Sequence, residues 1–374
     1  MDETTRRVPV GVIGTGSIFN AYALGLSTIP QLPIVRVADL DGERARAAAE
    51  EWNIPAWGTT EELLADPEVQ VVVNITPPRA HAALTDAALR AGKHVYVEKP
   101  LAATAEEARR NIETARETGK LLGGAPDTFL GPSGQTARAA VDAGLIGRPF
   151  AASSFVRSSR AETWHPDPTF LFTEGGGPVL DWGPYHIAAL VNLLGPVSRV
   201  VGATTRAADE LTVTAPERRV ERVGVTVDTH ATAILQFASG ALATAMYSFD
   251  VWDTTLPHLE VYGTEGTLQV PNPNRFDDPV LVKRRGDEEW TELPAVMDPL
   301  TPAGARAIRG PGVQDLVRHL GGDLHRASAD FAFHVLEVLE RLERIAPEDG
   351  AVEITSTVKR PAPLLGIDAG PLTR

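Results

Sequence analysis

Strand-like and helix-like runs alternate without interruption through the first third of the chain, and that alternation constrains the fold more than any other feature. A short apolar run, Val8 to Ile13, turns through Gly14 and Gly16 into a helical pattern. "IVRVADLD" is the next strand and "ERARAAAEEW" the next helix. "VQVVVNIT", Val69 to Thr76, is nearly all β-branched, the composition of a strand buried on both faces. "AHAALTDAALRAG" is a helix closed by Gly92, and "HVYVEKP" is another strand. "TAEEARRNIETARETGK" then opens at Thr104 with Glu107 three residues on, and ends at Gly119. Strands that alternate with helices predict an α/β fold. Its doubly wound parallel sheet is covered on both faces, with ligands beyond the carboxyl ends of the strands.

Three loops fall at that edge: "GTGS", "TPPRAH" and "EKP". The first sets Gly14, Gly16, Ser17 and Ile18 at a helix start. Glycine there allows close backbone approach to a pyrophosphate, and free N–H groups hold the anion. Phe19 stands where a third small residue often lies. Asp39 ends the second strand about 20 residues past the glycines, where a ribose hydroxyl would be held. Its charge repels a 2′-phosphate, so the pattern predicts NAD, and nearby Arg44 leaves NADP open. A glycine turn followed by a helix-capping aspartate is the plain alternative. The other two loops add Thr76, Pro77, His81, Glu98 and Lys99 as expected cofactor contacts. Lys99 at a strand end can hydrogen-bond a substrate hydroxyl and lower the pKa of a neighbouring acid. A solvated surface lysine is the competing reading.

After "LLGGAP" the pattern changes. From about Val197 long alternating strands follow one another with tight-turn signals, as in "THATAILQF-ASG-ALATAMYSF" and "HLEVYG-TEG-TLQV". These predict antiparallel hairpins in a large, mostly antiparallel open sheet. The chain thus divides into a dinucleotide-binding α/β domain, 1–125, and a second, α+β domain, 126–374. "SADFAFHVLEVLERLERI" is a late amphipathic helix, and the Pro- and Gly-rich stretches Pro271–Pro279 and Pro299–Gly312 are expected as surface loops. His334 lies beside Glu337 on that helix and is expected to be structural, with no metal site.

The net charge of −14, from 49 acidic against 35 basic residues, argues against nucleic acid or an anionic membrane as partner. The absence of cysteine excludes disulfides, thiolate metal sites and cysteine nucleophiles. No run approaches the roughly 18 apolar residues of a membrane span, and "MDETTRRVPVGVIG" lacks an apolar signal region. The expectation is a cytoplasmic protein.

The candidate chemistry of the second half lies in "DWGPYH", Asp181 to His186, which sets a carboxylate, a phenol and an imidazole within six residues. Pro184 suits the first turn of a helix. On near-helical geometry Tyr185 lies about 40° round from Asp181 and His186 about 140°. Tyr185 and Asp181 then share a face. The alternative is a helix start in which Asp181 caps and Tyr185 packs. Trp164 and His165 in "ETWHPDP" can stack on an apolar ring face of a ligand and bond its polar groups, or simply anchor the loop. His186 is either a helix residue meeting a backbone carbonyl or a substrate contact, and Asp127 and Arg157 are further candidate substrate contacts.

"VGVIGTGSI", "TPPRAH", "EKPLA" and "GGGPVLDWGPYH", in this order, together with "AGLIGRPFAA" and "VYGTEGTL", resemble the Gfo/Idh/MocA oxidoreductase family through most of the chain. The resemblance implies a Rossmann domain followed by an α/β domain whose open sheet mediates a homodimer or homotetramer. It implies NAD(P)-dependent hydride transfer to or from a hydroxyl-bearing carbon of a sugar, polyol or related cyclic alcohol. It also implies that Lys99 is catalytic and that the region from Asp181 supplies the acid/base group. The family pattern D-x-G-x-H puts histidine where this chain has Tyr185 and displaces the imidazole to His186. Tyr185 is therefore the expected acid/base, with Lys99 favouring its phenolate and Asp181 orienting substrate hydroxyls. A redox-neutral glycosidase or epimerase, and a nucleotide-sensing regulator without chemistry, are the other readings that the resemblance admits.

Overall fold

A computed structural model describes residues 6–157, 160–302, 305, 308–321 and 325–364. It divides into two compact units, Met1–Leu130 with Leu300–Phe333, and Gly131–Pro299 with His334–Arg374.

The first unit follows the alternation of the sequence. In chain order its elements are β1 (Val10–Ile13), α1 (Phe19–Ser27), β2 (Ile34–Ala38), α2 (Gly42–Trp52), β3 (Ala56–Gly58) and α3 (Thr60–Ala65). They continue with β4 (Val71–Asn74), α4 (Pro78–Arg90), β5 (His94–Val97), α5 (Ala105–Thr118) and β6 (Leu122–Gly124). The strands lie in the order β3-β2-β1-β4-β5-β6, and every pair is parallel. β1 and β4 are buried at each position, which is why they read as unbroken apolar runs. The order reverses between β1 and β4, the switch point at which α/β sheets bind ligands. Local signals set the helix ends. Asp41 caps α2, Thr59 and Glu62 form a capping box on α3, Thr104 caps α5, and left-handed Gly119 closes it.

Leu300–Phe333 differs from the sequence reading, which assigned it to the second domain and gave Pro299–Gly312 to a surface loop. It returns to the first unit, and Ile308, Arg309 and Gly312 are buried there. Gly124 N–H donates to Ala327 O at 3.0 Å, and Gly123 bridges Ser328, so the returning chain covers the β6 edge. An open edge strand is a liability, and Pro- and Gly-rich chain can shield it without adding another strand.

The second unit contains α6 (Pro132–Asp142), β7 (Pro149–Arg157), α7 (Thr169–Phe172), α8 (Gly177–Asp181), α9 (Gly183–Leu194) and β8 (Val197–Thr205). Next come β9 (Glu210–Thr212), β10 (Arg222–Gly224), β11 (His230–Phe237), β12 (Leu242–Ser248), β13 (Leu259–Gly263) and β14 (Gly266–Val270). β15 (Leu281–Arg284), β16 (Thr291–Glu292) and β17 (Val352–Glu353) complete it. Among the described residues nine strands form one sheet, β16-β15-β14-β13-β7-β12-β11-β8-β17. β7 and β12 pair in parallel, and the remaining pairs are antiparallel, including both expected hairpins.

Along β11 and β12, Ala231, Ala233, Leu235, Phe237, Ala243, Ala245 and Tyr247 are buried, while the alternate residues are more exposed. One face of the sheet is therefore covered, and the other carries Ile234 opposite Val201, with Leu242 nearby. β9 and β10 form a separate ribbon. Val213, Val223 and Val225 from the ribbon region pack with Ala161, Leu171, Phe172 and Phe249 into a small core of their own, with Trp182 against it.

Candidate functional site

In the first unit, β1 ends at Ile13 and the chain turns through Gly14 at a φ of 99°, a conformation suited to glycine. A Cβ at Gly14 would also stand 3.0 Å from Ile75 O, whereas one at Gly16 would meet nothing within 4 Å. The space above Gly16 is open for a ligand to approach the backbone. α1 begins two residues later with Ile18 as N-cap, and no side chain caps it. An uncapped helix start over an open glycine turn fits a pyrophosphate.

Asp39 follows β2 directly. Its Oδ2 accepts the Thr15 N–H at 2.8 Å and the Thr15 hydroxyl at 2.9 Å, and Oδ1 accepts the Asp41 N–H at 3.0 Å. Arg44 stands 3.4 Å from Oδ1. Partial burial raises the Asp39 pKa, but these hydrogen bonds and the Arg44 charge outweigh it and leave the carboxylate below its ordinary value. The next residue, Leu40, is fully exposed.

The other two loops meet on the same edge. Asn74 ends β4, and its Oδ1 accepts the Thr76 hydroxyl at 2.7 Å. Pro77 is the N-cap of α4. His81, expected at the cofactor, is instead wholly buried. One ring nitrogen lies 2.7 Å from Pro100 O and the other 2.7 Å from Thr76 O, so the imidazole joins the "TPPRAH" and "EKP" loops. Burial, opposed by those two contacts, holds its pKa below the usual value. Glu98 is also turned inward. Its Oε1 accepts the Tyr22 hydroxyl at 3.1 Å and Oε2 the Lys99 N–H at 2.6 Å. Lys99 itself is half-buried at the end of β5.

Asp127 does not meet the expectation of a substrate contact. It is completely buried in the first unit, and its Oδ2 accepts the Gly312 N–H at 2.8 Å, at the start of the helix Pro311–Arg318. Burial raises its pKa against the opposing charge of Arg309. It caps a helix that arrives from far along the chain, and no local pattern announces that.

In the second unit, α8 ends at Asp181, and Trp182 stays in the right-handed helical region between α8 and α9. Pro184 sits in the first turn of α9, as expected. Asp181 is half-buried, and Tyr185 is 7% exposed. His186 is completely buried, with Nδ1 2.8 Å from Ser154 Oγ and its ring edge-on to Tyr247 at 5.6 Å. Burial first, and then His258, push its pKa down to about 3. The expected substrate contact at His186 is replaced by a neutral core imidazole. Arg157 is partly buried, and its Nη1 donates to Thr254 O at 2.8 Å and to Leu256 O, holding that loop.

Trp164 and His165 do lie at a surface. Their rings meet edge-on at 5.6 Å, and His165 meets Phe170 edge-on at 5.2 Å. Trp164 and Phe170 are 57% and 58% exposed. Phe170 was missed in the sequence, although "WHPDPTF" repeats an aromatic across a proline-broken loop. Tyr22 was missed as well, because a tyrosine inside an apolar helix reads as core. Among the described residues no group of three or more His, Asp or Glu side chains could hold a metal.

Comparison with known proteins matches residues 8–124 to the oxidoreductase family with an NAD-binding Rossmann fold, and residues 135–269 to the GFO/IDH/MocA C-terminal domain. A dTDP-3,4-didehydro-2,6-dideoxy-alpha-D-glucose 3-reductase of Streptomyces violaceoruber is 37% identical over 208 residues, 54% of this chain and 59% of the relative. A 1,5-anhydro-D-fructose reductase of Ensifer adhaerens is 38% identical over 146 residues, 39% of this chain and 44% of the relative. The chain thus spans about half the length of these two curated relatives. A D-xylose 1-dehydrogenase (NADP(+)) of Haloferax volcanii is 30% identical over 272 residues, 72% of this chain and 77% of the relative. Among solved structures, an NAD binding oxidoreductase from Klebsiella pneumoniae superposes with a TM-score of 0.79 at 24% identity, covering 94% of this chain and all of that one. The two matched regions, with the glycine turn, the "EKP" loop and the Asp181 helix start in sequence order, show that the chain belongs to the Gfo/Idh/MocA oxidoreductase family.

Proposed function

We propose that the protein is an NAD(P)-dependent oxidoreductase that transfers a hydride between nicotinamide and a hydroxyl-bearing carbon of a sugar, polyol or related cyclic alcohol. The observation that carries this reading is Lys99 at the carboxyl end of β5, on the same sheet edge as the Gly14–Gly16 turn and Asp39. The cofactor, when bound, accepts or gives the hydride. Ser17 and Ile18 at the start of α1 would hold its phosphates and Asp39 a ribose, and exposed Leu40 would offer an apolar surface to the base. Lys99 binds the reacting oxygen, Asp181 orients neighbouring hydroxyls, and Tyr185 takes or returns the hydroxyl proton. Trp164 and Phe170 offer faces for a sugar ring. Relatives that act on a dTDP-linked deoxyhexose, an anhydrofructose and xylose support a sugar substrate. The pairing of Lys99 with Tyr185 on one substrate rests on family membership.

The test is nicotinamide absorbance during incubation with NAD or NADP and a panel of sugars, polyols and glycosides, with products analysed from the same wells. A rise in NADH or NADPH with one compound supports the reading. A changed sugar with a flat trace would replace it by redox-neutral chemistry, and no change with tight NAD binding by a nucleotide sensor.

Asp39 sets the cofactor preference in this proposal. Asp39→Ser removes a charge facing a 2′-phosphate and frees Arg44 to meet it. The NAD-over-NADP ratio of kcat/KM should then fall by about tenfold or more, the effect of roughly 1.4 kcal/mol. An unchanged ratio would remove Asp39 from that role.

We also place the protein in the cytoplasm as a homodimer or homotetramer, with neither nucleic acid nor membrane as partner. The net charge of −14 and the need for a nicotinamide cofactor support the first and last of these. The sheet face bearing Val201, Ile234 and Leu242 supports self-association, because each of these apolar side chains is about half exposed. Light scattering should give a multiple of 39.9 kDa, and Ile234→Lys should shift it toward a smaller species. A 39.9 kDa species for the unaltered chain would contradict the association.

A further inference from the structure

We infer that Tyr22 and Glu98 are positioning residues that tie Lys99 to the helix on which the cofactor phosphates rest. The inference builds on the proposed role of Lys99. Tyr22 lies one turn into α1, the helix that follows the glycine turn, and its side chain is completely buried. Its hydroxyl donates to Glu98 Oε1 at 3.1 Å, and Glu98 Oε2 accepts the Lys99 backbone N–H at 2.6 Å. A single carboxylate therefore links α1 to the lysine. Burial first, and then the charge of Glu98, hold the Tyr22 pKa well above 10, so the phenol remains a donor throughout the working range.

The surroundings explain why that link is informative. Glu98 is almost wholly buried, beside the completely buried Tyr22, Tyr96 and Asp127. A buried carboxylate is strongly unfavourable unless its oxygens are satisfied. A phenylalanine at 22 and an apolar residue at 98 would fill the same space without that cost. What the polar pair adds is direction, because hydrogen bonds fix a geometry that apolar contact leaves loose. Residues 98 to 100 are held at further points. Glu98 N–H donates to Asn74 O at 2.9 Å, and the His81 ring meets Pro100 O at 2.7 Å. Those contacts join the lysine loop to β4 and to the "TPPRAH" loop, and the Tyr22–Glu98 link joins it to α1. A cofactor seated on α1 then finds the Lys99 backbone at a set distance. Misplacement of a catalytic group by about 1 Å can cost on the order of a hundredfold in rate.

The experiment reads Lys99 directly and needs no turnover. The chain has five lysines, so reductive ¹³C-methylation of the full-length protein yields few resonances, and Lys99→Arg assigns that of Lys99. Spectra are recorded against pH with and without NAD. Tyr22→Phe keeps shape and net charge. It should displace or broaden the Lys99 resonance and change its proton-binding constant by about threefold or more, with the other four lysines unmoved. Glu98→Ala should do the same or more. Glu98→Gln keeps a link, with Oε1 accepting from Lys99 and Nε2 donating to the Tyr22 oxygen, so its line shape should lie nearer wild type than that of Glu98→Ala, while loss of the charge weakens proton binding at Lys99. Lys99 spectra of Tyr22→Phe that superimpose on wild type would overturn the inference, as would shifts in all five lysines, which would mean general loosening. If Glu98→Ala does not fold, Tyr22→Phe decides. Turnover of Lys99→Met tests the catalytic reading by itself: full activity there would defeat that reading and leave the resonance result standing.

Discussion

Tyr185→Phe should lower kcat by about 10²–10⁴-fold, the usual contribution of general acid/base catalysis, with NADH affinity nearly unchanged. The phenol would be lost from a side chain that begins α9 one turn beyond Asp181, while the ring and its packing remain. His186 makes the contrast, because it is completely buried against Ser154 and Tyr247. His186→Ala leaves a cavity and removes one of the two partners of the Ser154 hydroxyl, a stability loss of roughly 2–4 kcal/mol. Its kcat per folded molecule should stay within a few-fold of wild type. Steady-state kinetics with the turned-over sugar, beside urea melts of both variants, separate the two effects. Small and equal losses of kcat would remove Tyr185 from the acid/base role.

Acid should unfold the protein well before its carboxylates titrate. His186 is pushed down to about 3, and His325 and His334 to about 4, in each case mainly by burial. His334 Nε2 accepts the Val197 N–H at 3.0 Å, so its proton sits on Nδ1 and is donated to Ser356 Oγ at 2.8 Å. Such a ring has no place for a second proton without losing a partner. Histidines of the unfolded chain titrate near 6.5. The unfolded state therefore binds these protons more tightly. The stability due to each neutral ring is fully present above about pH 6.5 and is lost as pH falls toward the folded value. Each ring is worth roughly 3–5 kcal/mol, and together they match a typical domain stability of about 5–15 kcal/mol. Urea midpoints should fall steeply from pH 6.5 to 4.5, with uptake of at least three protons on unfolding, because burial also lowers His81, His94 and His258. A midpoint that holds constant to pH 4.5 would contradict this account.

The alternating first third was legible because β1 and β4 are short and buried on both faces, and because helices such as α5 carry their own end signals, Thr104 and Gly119. The hairpins were legible because side chains of β11 and β12 alternate across a half-covered sheet. Leu300–Phe333 was not, since its place depends on covering the distant β6 edge, and its prolines and glycines resemble a loop. Within the candidate site, the glycine turn, Asp39 and the approach to Asp181 followed local rules. His81, Asp127, Arg157 and His186 did not, because a polar residue near a motif looks the same whether it faces a ligand or another part of its own chain. What distinguishes them is a partner remote in sequence: Gly312 for Asp127, Thr254 for Arg157, Ser154 for His186.

The aromatic loop of Trp164 and Phe170 is attached to the β9–β10 ribbon by its own bonds. Thr214 N–H donates to Glu162 O at 2.7 Å, Arg219 N–H to Pro166 O at 2.8 Å and Thr226 N–H to Phe172 O at 2.9 Å. With its separate small core, this assembly behaves as a cassette set on the nine-stranded sheet. Natural variation can lengthen or reface such a cassette while the sheet beneath keeps its register, so new ring preferences can arise without renegotiating the stability of the whole unit. A joint graft of residues 160–173 and 209–226 from a relative, which leaves α9 and β8 in place, is the engineering counterpart of that freedom.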